Sequence, residues 1–237
     1  MDCEAFLRDA VVSDDVFALR PDYRVDLVAA SGVRPDADGQ AVDQLIARSE
    51  DYAREMLAST PVAEIPHIAS WRQAFKAFGA KPSDYRNSAE ALLRRAPGGL
   101  PRINPLTDVY NALSVLHQTP IGGENLDVYE GPARLTRARG DEEFDTVSGG
   151  EGVVEHPAAG EVVWRDDRGV TCRRWNWRQC TRTQLTENTA NVLFIIDTLD
   201  PLSAEQRNQV VDDLTGWLER LGGEDISRRT LLREHTP

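Results

Sequence analysis

The spacing of apolar residues changes character at Gly122-Gly123, and that change restricts the fold of this chain more than any other feature. Before the pair, apolar side chains recur at three- and four-residue steps, the period of a helix with one buried face. After it they fall into short β-branched runs broken by turn residues, the pattern of strands. Helices filling the first half and strands the second, rather than the two alternating, point to an α+β domain and away from a doubly wound βαβ fold.

The elements follow from local signals. Pro21 to Val33 reads as a strand ending at a glycine turn. From Gly39 to Leu57 the positions Val42, Leu45, Ile46, Ala53, Met56 and Leu57 mark an amphipathic helix. A second helix has Pro66 near its start, Trp71 and Phe75 on one face and Gly79 as its stop. Asn87 with Glu90 three residues on caps a short helix ending near Arg95. A further helix begins near Asn104, with Val109, Leu113 and Leu116 on one side and Asn104, Asp108 and Asn111 stacked on the other. Strands are expected over 133–138, 161–165, 170–174 and 191–196, two of them joined by the turn Asp166-Asp167-Arg168-Gly169. The last helix starts at Ser203, where Gln206 completes a capping box, and ends at Gly222-Gly223. Residues 224–237 read as a polar tail.

Charge narrows the function. Asp and Glu number 39 against 27 Lys and Arg, a formal net charge of −12 that disfavours bulk attraction to phosphate. The excess acid lies in the flanks: residues 1–60 hold 13 acids and 6 bases, 197–237 hold 9 and 5, and the middle holds 17 and 16. Within the middle, Arg173, Arg174, Arg178 and Arg182 fall in ten acid-free residues interleaved with Trp175 and Trp177, and Arg94, Arg95 and Arg102 form a second group. No apolar run nears the roughly 20 residues needed to cross a bilayer, and the N-terminus lacks the pattern of a signal peptide, so a cytoplasmic protein is expected. Cys3, Cys172 and Cys180 form no CxxC pair, and His67, His117, His156 and His235 have no ligand spacing, so neither a disulfide framework nor a metal site is expected. Phosphate-loop, dinucleotide, serine-elbow and zinc-hydrolase motifs are absent, and no cofactor is expected. Cys180 has two arginines beside it that would favour a thiolate nucleophile, but no histidine near in sequence to act as base.

Two segments carry candidate chemistry. The polar stripe Asn104, Asp108 and Asn111 is either a solvated helix face or a set of hydrogen-bonding groups, asparagine being a poor helix former. On a strand, Arg174, Asn176 and Arg178 would face one way and Trp175 and Trp177 the other. That is a cationic face backed by aromatic packing, or equally a strand with buried tryptophans and exposed arginines.

At these segments the chain resembles the B3/4 domain, the editing module of the β subunit of bacterial phenylalanyl-tRNA synthetase. LPRINPLTDVYNALSVLHQTPIGGENLD is similar to the module's polar helix and following loop, ARLTRARGDEEFDTV to a strand and turn, and residues 161–201 to its final strands. The resemblance implies layered β-sheets with helices packed on them in a single domain. Residues 1–59 would pack a strand and helix on a core of 60–200, and 201–223 would supply a C-terminal helix. It also implies hydrolysis of a mischarged aminoacyl-tRNA ester without a metal or cofactor. Substrate-binding positions would be Asn104, Asp108, Asn111, Asn176, Thr181 and Thr183, and Arg174, Arg178 and Arg182 would meet the tRNA acceptor end. No DNA or membrane partner is implied. Trp175-Asn176-Trp177-Arg178 stands where the module commonly has a glycine-rich turn and an acid, and Gly122-Gly123 where it often has a histidine, so a side chain other than tyrosine is expected. A non-catalytic tRNA- or RNA-binding module and a small-molecule hydrolase or binder are the alternatives.

Overall fold

A computed structural model describes residues 1–233; His235 lies outside the described residues. The chain opens with helix α1 (Cys3–Arg8), the two-residue strand β1 (Val11–Val12), helix α2 (Asp14–Leu19) and strand β2 (Arg24–Ala30). Four helices follow: α3 (Gly39–Leu57), α4 (Pro66–Ala77), α5 (Ser88–Arg95) and α6 (Pro105–His117). Their starts are set by side chains that accept otherwise unpaired backbone N–H groups: Asp38 for α3, Asn87 for α5 and Asn104 for α6. Then come β3 (Ile121–Asn125), β4 (Arg134–Arg137), β5 (Phe144–Ser148), β6 (Glu151–Glu155), β7 (Val162–Arg165), β8 (Val170–Arg173), β9 (Arg178–Gln179) and β10 (Val192–Thr198). Helix α7 (Ala204–Arg220) carries the expected Ser203–Gln206 capping box, and β11 (Ile226–Leu232) ends the described chain.

The strands make a four-stranded sheet in the order β11-β2-β10-β3, a five-stranded sheet β1-β4-β7-β8-β9, and the hairpin β5-β6. The four-stranded sheet is covered on both faces. Val28, Ala30, Val192, Phe194 and Ile196 pack on α3, α5, α6 and α7, whereas Val25, Leu27, Ala29, Leu193 and Ile195 pack with α1, α2, α4 and the five-stranded sheet. Burial on both sides explains why β10 is apolar without alternation, Val-Leu-Phe-Ile-Ile, before it reaches Asp197. The layered α+β arrangement expected from the sequence is present.

Three local readings change. Gly122-Gly123, which the resemblance placed in the loop after the polar helix, lies within β3, paired with Ile195 and Phe194 of β10. Residues 174–177 do not form a strand. They are a tight turn from β8 to β9, with Arg174 and Trp175 at φ 47° and 66°, so side chains do not alternate there. The segment expected to be a polar tail contains β11, which pairs with β2 from Ile226↔Ala30 to Leu232↔Arg24. The hairpin β5-β6, turning at Gly149-Gly150, gave no sequence signal that was read.

Candidate functional site

A cavity of about 410 Å³ opens at the seam where β3 meets β8 and β9 beneath α5 and α6. Its floor is the face of β3 and β10 turned away from the large helical layer. Glu124 pairs with Leu193 and Gly122 with Ile195, and Asp197 continues that face of β10, where its N–H meets the Pro120 carbonyl at 3.1 Å. A Cβ added at Gly122 would meet nothing within 4 Å, so the missing side chain leaves the cavity open. Gly123 points the other way, where a Cβ would come within 2.8 Å of Leu185 and Phe194 and 2.9 Å of Tyr110. One glycine therefore makes room for a ligand and the next makes room for the core.

The walls are aromatic, contributed by Tyr110, Trp164, Trp175 and Trp177. The positive φ values at Arg174 and Trp175 fold the β8–β9 turn inward, so that Trp175 is fully buried against Tyr23 and Trp71, with ring centroids at 4.9 and 5.3 Å. Asn176 at the same turn donates to Asp197 Oδ2 at 3.2 Å, and its Oδ1 has no partner among the described residues. At the mouth stand Arg86, Arg95 and Arg178, with Asp84.

The two floor acids are unusual among the buried carboxyls. Glu90 is held by Arg72 and Arg94, Glu142 by Arg165, Glu161 by Arg173 and Asp166 by Arg182, while Asp108 accepts the Ile103 N–H at the start of α6. Asp197 and Glu124 have no such partner among the described residues. Asp197 accepts the Tyr23 hydroxyl at 2.5 Å, and Glu124 accepts the Tyr129 hydroxyl. Burial pushes each carboxyl up to about 7; around Glu124 the opposed charges of Asp166 and Arg182 add only smaller contributions of opposite sign. Near neutral pH both are poised to take or release a proton, which is the property required of a general base or acid.

The family model for the B3/4 domain matches residues 70–220. The chain belongs to the B3/4 domain family. Among solved structures, it is similar to an N-terminal fragment of the phenylalanyl-tRNA synthetase β subunit from Pyrococcus horikoshii, at 14% identity and a TM-score of 0.45 over 92% of this chain. The chain spans about half of that fragment, 49% of its length. No curated protein matches.

Within this B3/4 domain the residues singled out from sequence separate into three groups. Asn111, Asn176 and Arg178 line the cavity. Asn104, Asp108, Thr183 and Arg182 are committed to the fold. Asn104 accepts the Thr107 N–H and donates to the Leu185 carbonyl, both at 3.0 Å, so the lower part of the polar stripe is a helix cap rather than a binding face. Thr183 lies at 3.2 Å from the Cys180 thiol. Arg182 binds Asp166 through two contacts of 2.9 Å and the Val128 carbonyl at 2.7 Å, fixing the β7–β8 turn, so its guanidinium is turned inward. In the third group, Thr181 is exposed away from the cavity. Arg174 stacks at 3.7 Å over Tyr85 and 4.4 Å over Trp177, with Glu161 at 3.6 Å, and braces the cavity wall from behind. Cys180 is no nucleophile: burial pushes its thiol up to about 11, and both neighbouring arginines bind elsewhere.

Glu124, Asp197, Arg86 and the cavity position of Arg95 gave no signal in the sequence, whereas Gly122 was marked only by the resemblance. Asp197 ends an apolar strand and Glu124 follows two glycines, and each looks locally like the acid at the end of an element. Their shared face arises from the pairing of β3 with β10, across about 70 residues of chain.

Proposed function

We propose that this B3/4 domain is an editing-type deacylase that hydrolyses an aminoacyl ester at the acceptor end of a tRNA. The observation that carries the reading is the polarity of the cavity: arginines at the mouth, buried protonatable carboxyls at the floor. Guanidinium groups suit the phosphates of a terminal nucleotide. A carboxylate near its pKa suits the activation of water for attack on the ester carbonyl. In the proposed step a floor carboxylate takes the proton of a bound water as the water oxygen adds to the carbonyl. The acyl–oxygen bond to the ribose then breaks, and the proton returns to the leaving ribose oxygen. Asn111, whose side chain bonds to no other described residue, would donate to the developing oxyanion, a type of contact worth several kcal/mol when preorganised. Arg178 stays from the arginine set expected from sequence, while Arg86 and Arg95 take the places of Arg174, which lies behind the wall, and Arg182, which is buried in an ion pair.

The test is deacylation of a panel of charged tRNAs by the whole chain. Accelerated hydrolysis of one or a few, lost in Asp197→Asn and retained in the exposed-site variant Thr181→Ala, is the expected outcome. Tight binding of tRNA without acceleration would replace the reading with a non-catalytic RNA-binding module. Neither binding nor hydrolysis would leave a small-molecule site, which the enclosed aromatic cavity also suits.

A further inference from the structure

We infer that the cavity is built for a ligand with two ammonium groups, which within the deacylase reading above means the ester of a diamino acid such as lysine or ornithine, the ammonium beside the reacting acid keeping it ionised while another of its lone pairs takes the water proton. The first observation is what the buried carboxyls bond to among the described residues. Glu90, Glu142, Glu161 and Asp166 each have an arginine within 4 Å and Asp108 accepts a backbone N–H, while Glu124 and Asp197 accept only from hydroxyl and amide side chains. A buried carboxyl without a cation either keeps its proton or becomes a carboxylate that takes its cation from a ligand.

The second observation is their placement. Glu124 and Asp197 lie on one face of paired strands, four positions apart, or about 13 Å at ~3.3 Å per residue. Between them lies Gly122, with open space where its side chain would be. The two acids thus stand at opposite ends of a trough whose middle is open at Gly122 and apolar at its strand partner Ile195, and a single ammonium cannot reach both. An aliphatic chain with a cation at each end can. The aromatic walls favour the same ligand, because cations are attracted to the faces of indole and phenol rings. The unpartnered Oδ1 of Asn176, a residue 8% exposed on the cavity wall, adds a neutral acceptor beside Asp197 for an ammonium proton. The arginines at the mouth repel a cation there and hold an anionic carrier outside, which orients the ligand with its amines inward.

The test is calorimetric titration of the whole chain with cadaverine, a five-carbon diamine, against pentylamine and pentanediol. Each charge-assisted contact gives about tenfold or more in affinity, so cadaverine should bind at least about tenfold more tightly than pentylamine, and pentanediol more weakly than either. Asp197→Asn and Glu124→Gln should each bring cadaverine down to the level of pentylamine. Gly122→Val, whose side chain enters the open middle of the trough, should abolish binding of all three. Equal binding of amine and diol, no advantage of two amines over one, or no amine binding at all would overturn the inference. The two proposals fail separately. Diamine binding with no charged tRNA hydrolysed removes the deacylase and keeps the diamine trough. Rapid hydrolysis of neutral aminoacyl-tRNAs with lysyl- and ornithyl-tRNA untouched keeps the deacylase and removes the trough.

Discussion

Asp197 shows how a side chain acquires its chemistry from its surroundings. Preceded by Val-Leu-Phe-Ile-Ile, it reads in sequence as the polar end of a strand, and nothing local distinguishes it from Asp200 three residues on. The fold buries it against Tyr23, Asn176 and Trp164 and moves its carboxyl from 3.8 to about 7. The raised value means that the folded protein holds a proton the unfolded chain releases. Its favourable share of stability is complete below pH ~4 and is lost as pH rises toward 7. Asp197→Asn keeps the shape and removes the titration, so the variant should gain stability relative to the parent at about pH 8 and gain little at about pH 4. The difference is at most about 4 kcal/mol, from roughly 1.4 kcal/mol per pKa unit. Urea unfolding of both proteins across that range checks it, and a pH-independent difference would remove the buried acid as its cause. Asn111 and Asn176 were legible as candidates because an amide in an apolar or aromatic stretch is locally conspicuous. An acid that closes a strand is not.

At the scale of the element, β3 separates binding from packing within two residues. Gly123→Val drives a side chain into Leu185, Phe194 and Tyr110, and overpacking of this kind costs about 1–3 kcal/mol. Gly122→Ala places a methyl group in the open cavity and reduces the freedom of the unfolded chain, so stability should hold or rise by about 0.4–1 kcal/mol. Thermal melts of the two variants should move in opposite directions. The helices were readable because their caps are local: Asn87 to Glu90 and Ser203 to Gln206 each close within one turn. β11 was not, since Ile226–Leu232 is an edge strand carrying two arginines, Arg228 exposed and Arg229 donating to the Leu7 and Ala10 carbonyls, and its strand partner among the described residues, β2, lies about 200 residues earlier. The pair Gly122-Gly123 hid its place in a strand for a related reason. Glycine is a turn signal in isolation, but it also serves where a backbone must lie close to a neighbour or leave space beside it.

Over the whole molecule, the arginines divide into those that hold the fold and those that stand at the cavity, and the sequence could not sort them. Their clustering at 173–182 is real, yet Arg173 and Arg182 neutralise Glu161 and Asp166 inside the protein. Arg182→Ala leaves Asp166 buried without its cation and should destabilise the domain by about 3–5 kcal/mol. Arg178→Ala should leave stability within about 0.5 kcal/mol. If Arg86, Arg95 and Arg178 meet phosphates, log affinity for tRNA should fall with log salt at a slope near −2, from about 0.7 per phosphate, and Arg178→Ala should flatten it by about 0.7. A slope unchanged by that variant would place the phosphates elsewhere. The layered order of helices and sheets was legible from the shift in apolar spacing, because layers follow from which faces must be buried. The cavity was not, because it forms where two sheets meet. Along β3 and β10, residues that face the cavity alternate with residues that face the helices. Selectivity and foldability are thus inherited on separate sets of positions of the same two strands. Positions 122, 124 and 197 can drift together toward a new ligand while 123, 194 and 196 keep the core intact, giving this domain a short mutational route between substrates.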